Sequence, residues 1–543
     1  MPISRRRFLA GGVALGSGLG ASQLLAGCSD PVPARSAFED GWRPGRVAHL
    51  LPTADHSRIF LKASFREPVG APVLRVGGIP FPGQATEASG RFYRFAATGL
   101  EPATEYSLRL HAGSGESLCD AWPLRTFPAP DAEPESFRLL AYTCAGGPDH
   151  LYNTDFFHAF LPIALRQRLF ARALSFRPDA AVAIGDHVYW DLRGRRGWFF
   201  GDSPRAWWVA GRFDREAAIA GHANEEVLHR ALGPQIAGLY DVGFRSIPTF
   251  FLQDDHDYSE NDEATDDLRT FPPDGFMRAV AQTTQQLYYP ELPGGVGLPA
   301  RHLGPGATSA HFGGFRFGRL CEGLLYDCRR FLENARDPDL GHGQSTFLPQ
   351  DVEAWLATRS LGSDAAHVVH LPSTPVLWSA GKWLEWYPDI SDENGQLSRE
   401  TPKPYWAPGW LAQHDRILAA ASARADRTPL VVSGDLHATG IGRIHKSGET
   451  SFADNPVVSL LSGPISTGQL GWPSQARGQL PTPSGVLDAE AWQSPREENG
   501  FSLLDFTPGA VKVSLFRWSP EQGAAAIDRL QPYEVREIAR PQA

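Results

Sequence analysis

Four short apolar runs in this chain, each the length of one buried strand, stop directly on residues that bind cations. Residues 137–143 run into Cys144, and residues 180–184 into Gly185-Asp186-His187-Val188-Tyr189. Residues 247–252 lead to Asp254-Asp255-His256-Asp257, with Asn261 four residues on, and residues 429–433 lead to Gly434-Asp435-Leu436-His437. Runs this short and this continuously apolar suit strands buried on both faces. In layered α/β folds the carboxyl ends of such strands open on one crevice. The pattern therefore predicts a single site where a thiol, carboxylates, a phenol and imidazoles face one another. Alone, a Gly-Asp after a strand is commonly a turn, and a lone buried cysteine is commonly a small hydrophobe. Together they are expensive to bury without cations, and a metal centre is the economical reading. His187 lies between stronger ligands and would point to the other side of an extended segment, so it reads as structural.

Between these runs the pattern alternates. Apolar residues at helical spacing fill 155–175, among them Phe156, Phe160, Ile163 and Leu169, and helices are also predicted over 350–361 and 411–423. Further strands are predicted over 367–371, 457–461, 501–506 and 511–518, which makes residues 135–543 an α/β domain. Before the Pro-rich linker 128–134, residues 47–128 read as short strands only, at 58–65, 72–76, 92–96, 106–111 and 124–127. The stretch Leu100-Glu-Pro-Ala-Thr-Glu-Tyr106 resembles the tyrosine corner of fibronectin- and immunoglobulin-type sandwiches.

The amino terminus reads as an address. Arg5, Arg6 and Arg7 precede Phe8-Leu9 and a short Gly-rich apolar stretch, the layout of a twin-arginine signal over residues 1–27. Leu25-Ala26-Gly27-Cys28 resembles a lipoprotein cleavage box, which would leave a lipidated Cys28 at the head of a polar tether, residues 28–46. The expected partners are the twin-arginine export machinery and, through that lipid, a membrane. The expected location is the bacterial periplasm or cell envelope, reached in a folded state.

Charge and cysteine usage narrow the classes further. The net charge of −10 becomes −13 without the three arginines of the signal, and an acidic chain is a poor non-specific binder of nucleic acid. No apolar run reaches the ~18–20 residues of a membrane span. With Cys28 set aside, Cys119, Cys144, Cys321 and Cys328 do not make a disulfide framework. Residues 315–325 and onward read as one strand, which would hold Cys321 and Cys328 too far apart to bridge.

The donor types bear on the metal. Cys144 thiolate, Asp186 carboxylate and Tyr189 phenolate are three anionic donors, and a phenol of reference pKa near ~10 yields its proton only to a strong Lewis acid. That set suits Fe(III) better than a divalent ion. The remaining carboxylates and Asn261 are hard oxygen ligands for a second ion, and Asp186 is the natural bridge between the two. The acidic run from Asp254 to Asp267 lacks the glycine that an EF-hand loop requires at its sixth position.

With these motifs in this order, the chain resembles the alkaline phosphatase D (PhoD-like) phosphodiesterases of the calcineurin-like metallophosphoesterase superfamily. The shared features are the twin-arginine signal, the small β domain, the Cys that closes the first core strand and Gly-Asp-x-x-Tyr at 185–189. They continue with Asp-Asp-His-Asp at 254–257 with Asn261, the segment 315–327, and Gly-Asp-x-His at 434–437. The resemblance implies two packed β-sheets flanked by helices, preceded by a small fibronectin- or Ig-like sandwich. It also implies hydrolysis of phosphate mono- and diesters, with Fe(III) held by Cys and Tyr and Ca2+ beside it. Carried over by position, the ligands are Cys144, Asp186, Tyr189, Asp254, Asp255, Asn261, Asp435 and His437, and His256 is the acid for the leaving group.

The expected mechanism is attack by a metal-bridged hydroxide while His256 protonates the departing alkoxide. Two departures bear on substrate preference. Gln253 stands where the family commonly has Trp, and 373–408 is rich in Trp and Pro, with Trp378, Trp383, Trp386 and Trp406. The alternatives are a phospholipase D-like phosphodiesterase acting on membrane or wall polymers, and a non-catalytic lipoprotein that binds metal or phosphate. No Gly-x-Ser-x-Gly, His-Glu-x-x-His or Gly-x-x-x-x-Gly-Lys motif is present to support a serine hydrolase, zincin or P-loop enzyme.

Overall fold

The computed structural model describes residues 41–147, 160–189, 213–221, 223–258, 273, 275–331, 346–380, 390–391, 405–406, 408–469, 471–476 and 480–541. Cys28, the signal segment, Asn261, Trp383 and Trp386 lie outside the described residues.

The amino-terminal module has eight strands: β1 (Val47–Ala54), β2 (Arg58–Phe65), β3 (Val73–Val76), β4 (Ile79–Pro82), β5 (Gln84–Ala85), β6 (Phe92–Thr98), β7 (Glu105–His111) and β8 (Trp122–Arg125). They form two four-stranded sheets, ordered β1-β2-β6-β5 and β4-β3-β7-β8, in which every pairing is antiparallel. Residues alternate inward, so that Leu61, Phe95, Leu108, Leu110 and Trp122 share one core. Tyr106 Oη accepts a hydrogen bond from the Glu101 amide at 2.8 Å. That bond is the tyrosine corner expected from the sequence.

The larger part begins with β9 (Phe137–Thr143), α1 (Ile163–Ser175), β10 (Ala180–Ile184), α2 (Ala223–Leu232), β11 (Thr249–Leu252) and α3 (Gly275–Tyr288). It continues through β12 (Phe312–Phe317), β13 (Cys321–Tyr326), α4 (Gln350–Gly362), β14 (His367–Pro372), α5 (Pro408–Ser422), β15 (Leu430–Ser433), β16 (Thr439–Ser447) and β17 (Val457–Leu461). The last strands are β18 (Leu487–Arg496), β19 (Asn499–Thr507), β20 (Ala510–Trp518) and β21 (Glu534–Ala539). One sheet runs β11-β10-β9-β19-β20-β21, and the other runs β12-β13-β14-β15-β17-β16.

Strands β9, β10 and β11 are mutually parallel, as are β13, β14, β15 and β17. Both faces of β9 and β10 are buried, and the period of two sends alternate residues to different cores. Leu139, Ala141 and Val182 face Val369, Leu371, Val432 and Leu460 of the other sheet. Leu140, Tyr142, Ala181 and Ala183 face Leu169 and Phe170 of α1 and Leu228 of α2. Each fully buried side chain of the Val, Leu or Phe class stabilises the packing by about 1.5–3 kcal/mol. This layering, two packed sheets flanked by helices behind an all-β module, is the architecture the sequence implied.

One expectation is corrected. The run 315–325 is not a single strand: β12 and β13 form an antiparallel hairpin, with Phe317 paired to Cys321 and Gly318 at φ 57° in the turn. A glycine in the left-handed region is what such a turn requires. Cys321 therefore opens β13, Cys328 follows its end, and both are buried free thiols, like Cys119 and Cys144. The expected helix over 155–175 starts only at Ile163: Phe160 instead forms a β-bridge with Thr467, Pro162 stands at the helix start, and 155–159 lie outside the described residues. Trp378 packs in a core with Leu418 and Leu436. Among the described residues, no helix is long and apolar enough to cross a membrane.

The two parts meet through buried polar contacts at the carboxyl end of α3. His49 Nε2 lies 2.6 Å from the Tyr288 carbonyl, and Lys62 Nζ donates to the Gln286 carbonyl at 2.9 Å and to Glu291 Oε1 at 3.1 Å. A helix leaves its last carbonyls without intrahelical donors, and cations near that end are favourable.

Candidate metal centre

The site is built at the carboxyl ends of β9, β10, β11 and β15. Close approach of these ends depends on two glycines. A Cβ on Gly185 would lie 2.3 Å from Asp254 Cβ, and one on Gly434 would lie 2.3 Å from Thr143 Oγ1 and 2.5 Å from the Ile184 carbonyl. The Gly of each Gly-Asp motif is thus a packing requirement. Backbone strain is concentrated here as well. Cys144, Asp186, Asp435 and His437 adopt φ of 49°, 56°, 67° and 47°. Non-glycine residues held in this region cost of order ~1–3 kcal/mol each, and persist where surrounding structure imposes them.

One group of donors comprises Cys144, Asp186, Tyr189 and His437. Cys144 Sγ donates to Asp186 Oδ2 at 3.3 Å, and Tyr189 Oη donates to the same oxygen at 3.0 Å. Tyr189 Oη also lies 3.1 Å from His437 Nε2, which is 3.9 Å from Asp186 Oδ2. Burial, then the neighbouring Asp186 carboxylate, pushes the Cys144 thiol and the Tyr189 phenol well above their usual ranges. Burial and the adjacent carboxylates, Asp255 first, raise Asp186 too. Two protons converge on one carboxylate oxygen where a cation would otherwise stand. The donor set fits a thiolate- and phenolate-binding metal ion.

A second group joins Asp254, Asp255 and Asp435, whose ligand atoms lie within 4.8 Å of one another, and Asp186 also groups with Asp255 and His256. Asp254 Oδ2 is buried and makes no hydrogen bond. An oxygen left so is costly without a cation. The His256 amide donates to Asp186 Oδ1 at 3.3 Å, and its ring leans on the Tyr189 ring with centroids 4.3 Å apart. Asp186 therefore belongs to the first group and is linked to the second through Asp255.

Several residues outside the expected ligand set support the site. Asp257 accepts from the amides of Asp186 and Asp254 at 2.9 Å, of His187 at 3.0 Å and of Val188 at 3.2 Å, which ties the loops after β10 and β11 together. Burial pushes its carboxyl up to about 8, against the pull of those amides. Thr467 Oγ1 lies 2.8 Å from His437 Nδ1 and fixes that ring. Gln235 Oε1 accepts from the Gly147 amide at 2.7 Å and the Tyr189 amide at 2.8 Å. Buried Arg166 donates to the carbonyls of Ala145, Gly146 and Gly147, which bounds the loop after Cys144. His187 Nε2 is occupied at 2.6 Å by the Leu252 carbonyl, away from the ligand groups.

A fifth strand end also reaches the site. Past β13, Arg329 Nε donates to Asp254 Oδ1 at 2.7 Å and its terminal nitrogen to Asp435 Oδ2 at 3.1 Å.

No family model matches this chain, and no curated protein sequence matches it. Solved structures do resemble it. A structure of PhoD superposes with a TM-score of 0.59 at 15% identity, covering 92% of this chain and 91% of that one. The purple acid phosphatase PPD1 from seeds of yellow lupin, Lupinus luteus, gives a TM-score of 0.54 at 11% identity, covering 92% of this chain and 75% of its own. With both structures the chain shares its fold, two packed sheets flanked by helices behind an amino-terminal all-β sandwich.

Proposed function

We propose that this chain is a PhoD-like metal-dependent phosphoric ester hydrolase with phosphodiesterase and phosphomonoesterase activity. The observation that carries the proposal is the convergence, at the ends of β9, β10, β11 and β15, of two donor groups of different chemistry that Asp186 and Asp255 link to each other. Cys144, Asp186, Tyr189 and His437 would hold Fe(III), and Asp254, Asp255 and Asp435 would hold Ca2+, with Asn261 as a further ligand. When bound, such ions supply Lewis acidity toward a phosphoryl group and lower the pKa of water.

The protein's own residues then have distinct tasks. Asp186 fixes the spacing of the two halves because its two oxygens face different groups: Oδ2 meets Cys144 and Tyr189, and Oδ1 meets the His256 amide. Tyr189 braces the His256 ring, which holds the proton destined for the leaving oxygen. Thr467 sets the orientation of His437. Upstream of this domain, the twin-arginine signal and Cys28 support export in a folded state and lipid anchoring in a bacterial envelope. Cytoplasmic loading of the metal would then precede export.

The test is elemental analysis of the mature protein, exported by its own signal and purified without chelator. It is paired with rates on bis(p-nitrophenyl) phosphate and p-nitrophenyl phosphate. About one iron per chain together with calcium, and turnover of these esters, is the expected result. Two zinc or manganese ions would keep the hydrolase and remove the iron assignment. Folded protein with no tightly held metal would overturn the proposal in favour of a non-catalytic binding protein.

A further inference from the structure

The second donor group already contains a cation. Arg329 is buried, its side chain 3% exposed, and its guanidinium forms ion pairs with Asp254 at 2.7 Å and Asp435 at 3.1 Å. These two carboxylates come from different sheets, Asp254 after β11 and Asp435 after β15. One planar fork therefore spans the crevice at the point where a second ion would sit. Its backbone is fixed: Asp327 Oδ1 accepts from the Arg329 amide at 2.8 Å and from the Arg330 amide at 3.2 Å, which makes a turn directly past β13. Asp327 is held in turn by the Tyr258 hydroxyl, which also lies 2.9 Å from Gln253 Oε1. The guanidinium hangs from this anchored point on four rotatable bonds, so the head can move while its base cannot.

We propose that Arg329 is the internal counter-cation of the Asp254–Asp435 pair and is exchanged for the ion that the second group takes up. The inference rests on the two-ion reading above and goes beyond it by making second-ion affinity a property of an arginine that is not a ligand. A guanidinium and a divalent cation cannot share the same oxygens at these distances, because their charges have the same sign and the site is shielded from solvent. An ion that takes Asp254 Oδ1 and Asp435 Oδ2 therefore displaces Arg329, and the cost of that displacement weakens its binding. While the ion is absent, the same contact keeps the carboxylates neutralised and the two sheet edges joined. Before exchange the guanidinium belongs to the protein; after it, the fork is free to meet an anionic oxygen of the ester.

The experiment is calorimetric titration of calcium chloride into mature protein that carries iron in the first group, for wild type, Arg329→Gln and Arg329→Lys. Arg329→Gln is expected to bind Ca2+ at least about tenfold more tightly than wild type, since it keeps a polar head but loses the charge. Arg329→Lys, which keeps the charge but loses the fork, is expected to fall between and serves as the folded reference if the Gln variant does not fold. Affinity in both variants equal to or weaker than wild type would overturn the inference and leave the two-ion reading standing. No calcium binding by any of the three would overturn the two-ion reading and the inference with it.

Discussion

Tyr189 and Asp186, three residues apart, meet through a 3.0 Å hydrogen bond from phenol to carboxylate. The bond exists because Asp186 turns the chain with a φ of 56° directly past β10, so the segment folds back on itself instead of running on. His437, from the opposite sheet, closes the group at 3.1 Å from the same phenol. The phenol is thus one of the points where the two sheets touch chemically.

Removing that hydroxyl should have two readouts. Tyr189→Phe is expected to abolish the visible charge-transfer band of the iron-loaded protein and to destabilise the metal-free form by about 1 kcal/mol, the usual worth of a lost hydrogen bond. Absorption spectra and urea unfolding measure the two. A retained band would place iron away from Tyr189.

His256→Ala is expected to lower turnover ~10²–10⁴-fold, the usual contribution of a positioned acid, with metal content unchanged. Elemental analysis beside steady-state rates separates the roles. Loss of metal in proportion to loss of rate would make His256 a ligand, in keeping with its grouping with Asp186 and Asp255.

Gly185→Ala should act on the site through packing alone. Its φ of 70° disfavours any side chain, and the new methyl would meet Asp254 Cβ at 2.3 Å. The expected result is a stability loss above ~1 kcal/mol and weakened binding of the second ion, because Asp254 must retreat. Thermal unfolding and a calcium titration would show it, and unchanged calcium affinity would mean that Asp254 is not a ligand.

A pH effect follows from the contact between the two parts of the chain. Burial holds the His49 imidazole down to about 4 from 6.5, with the Tyr288 carbonyl pulling the other way. Between those values the unfolded chain binds a proton that the folded chain refuses, so stability falls as pH drops through that window. The slope for one such group is ~1.4 kcal/mol per pH unit. His49→Gln should be less stable at pH 7.5 but lose less between pH 6.5 and 4.5 than wild type, as read from urea midpoints. Identical slopes would mean that His49 does not titrate with unfolding. His367 and His370, also held at about 4, should contribute the same sign.

Much of the fold was legible because parallel strands buried on both faces are written as unbroken apolar runs. The run 137–143 became β9 with the same bounds, and 180–184 became β10. Four strand ends carrying ligand-type residues were visible for the same reason. Arg329 was not, because it lies in an Arg-Arg pair that reads as solvated surface. Only the parallel pairing of β13 with β14, and of β14 with β15, carries it to the crevice. The hairpin turn at Gly318 was hidden by the polar Arg316 and Arg319, which blurred one run into the next. Thr467 and Gln235 act through single hydrogen bonds on a ring and two amides, and nothing in their local sequence distinguishes them from any loop Thr or helical Gln. Strand β1 escaped because Pro52 and His49 interrupt an otherwise apolar stretch that faces both the sandwich core and α3.

The strand that presents Cys144 is flanked by β10 on one side and by β19 on the other, with Ala141 paired to Ser502 and Phe137 to Phe506. Its partner on that second side therefore lies more than three hundred and fifty residues later in the chain. The two ends of this strand are consequently completed by different parts of the chain: Gly463 and Pro464 pair with Tyr142 and Thr143 just before Cys144, while Phe137–Ala141 wait for β19. A chain broken between His437 and β19 would keep every described candidate ligand and lose one edge of the strand that leads to Cys144.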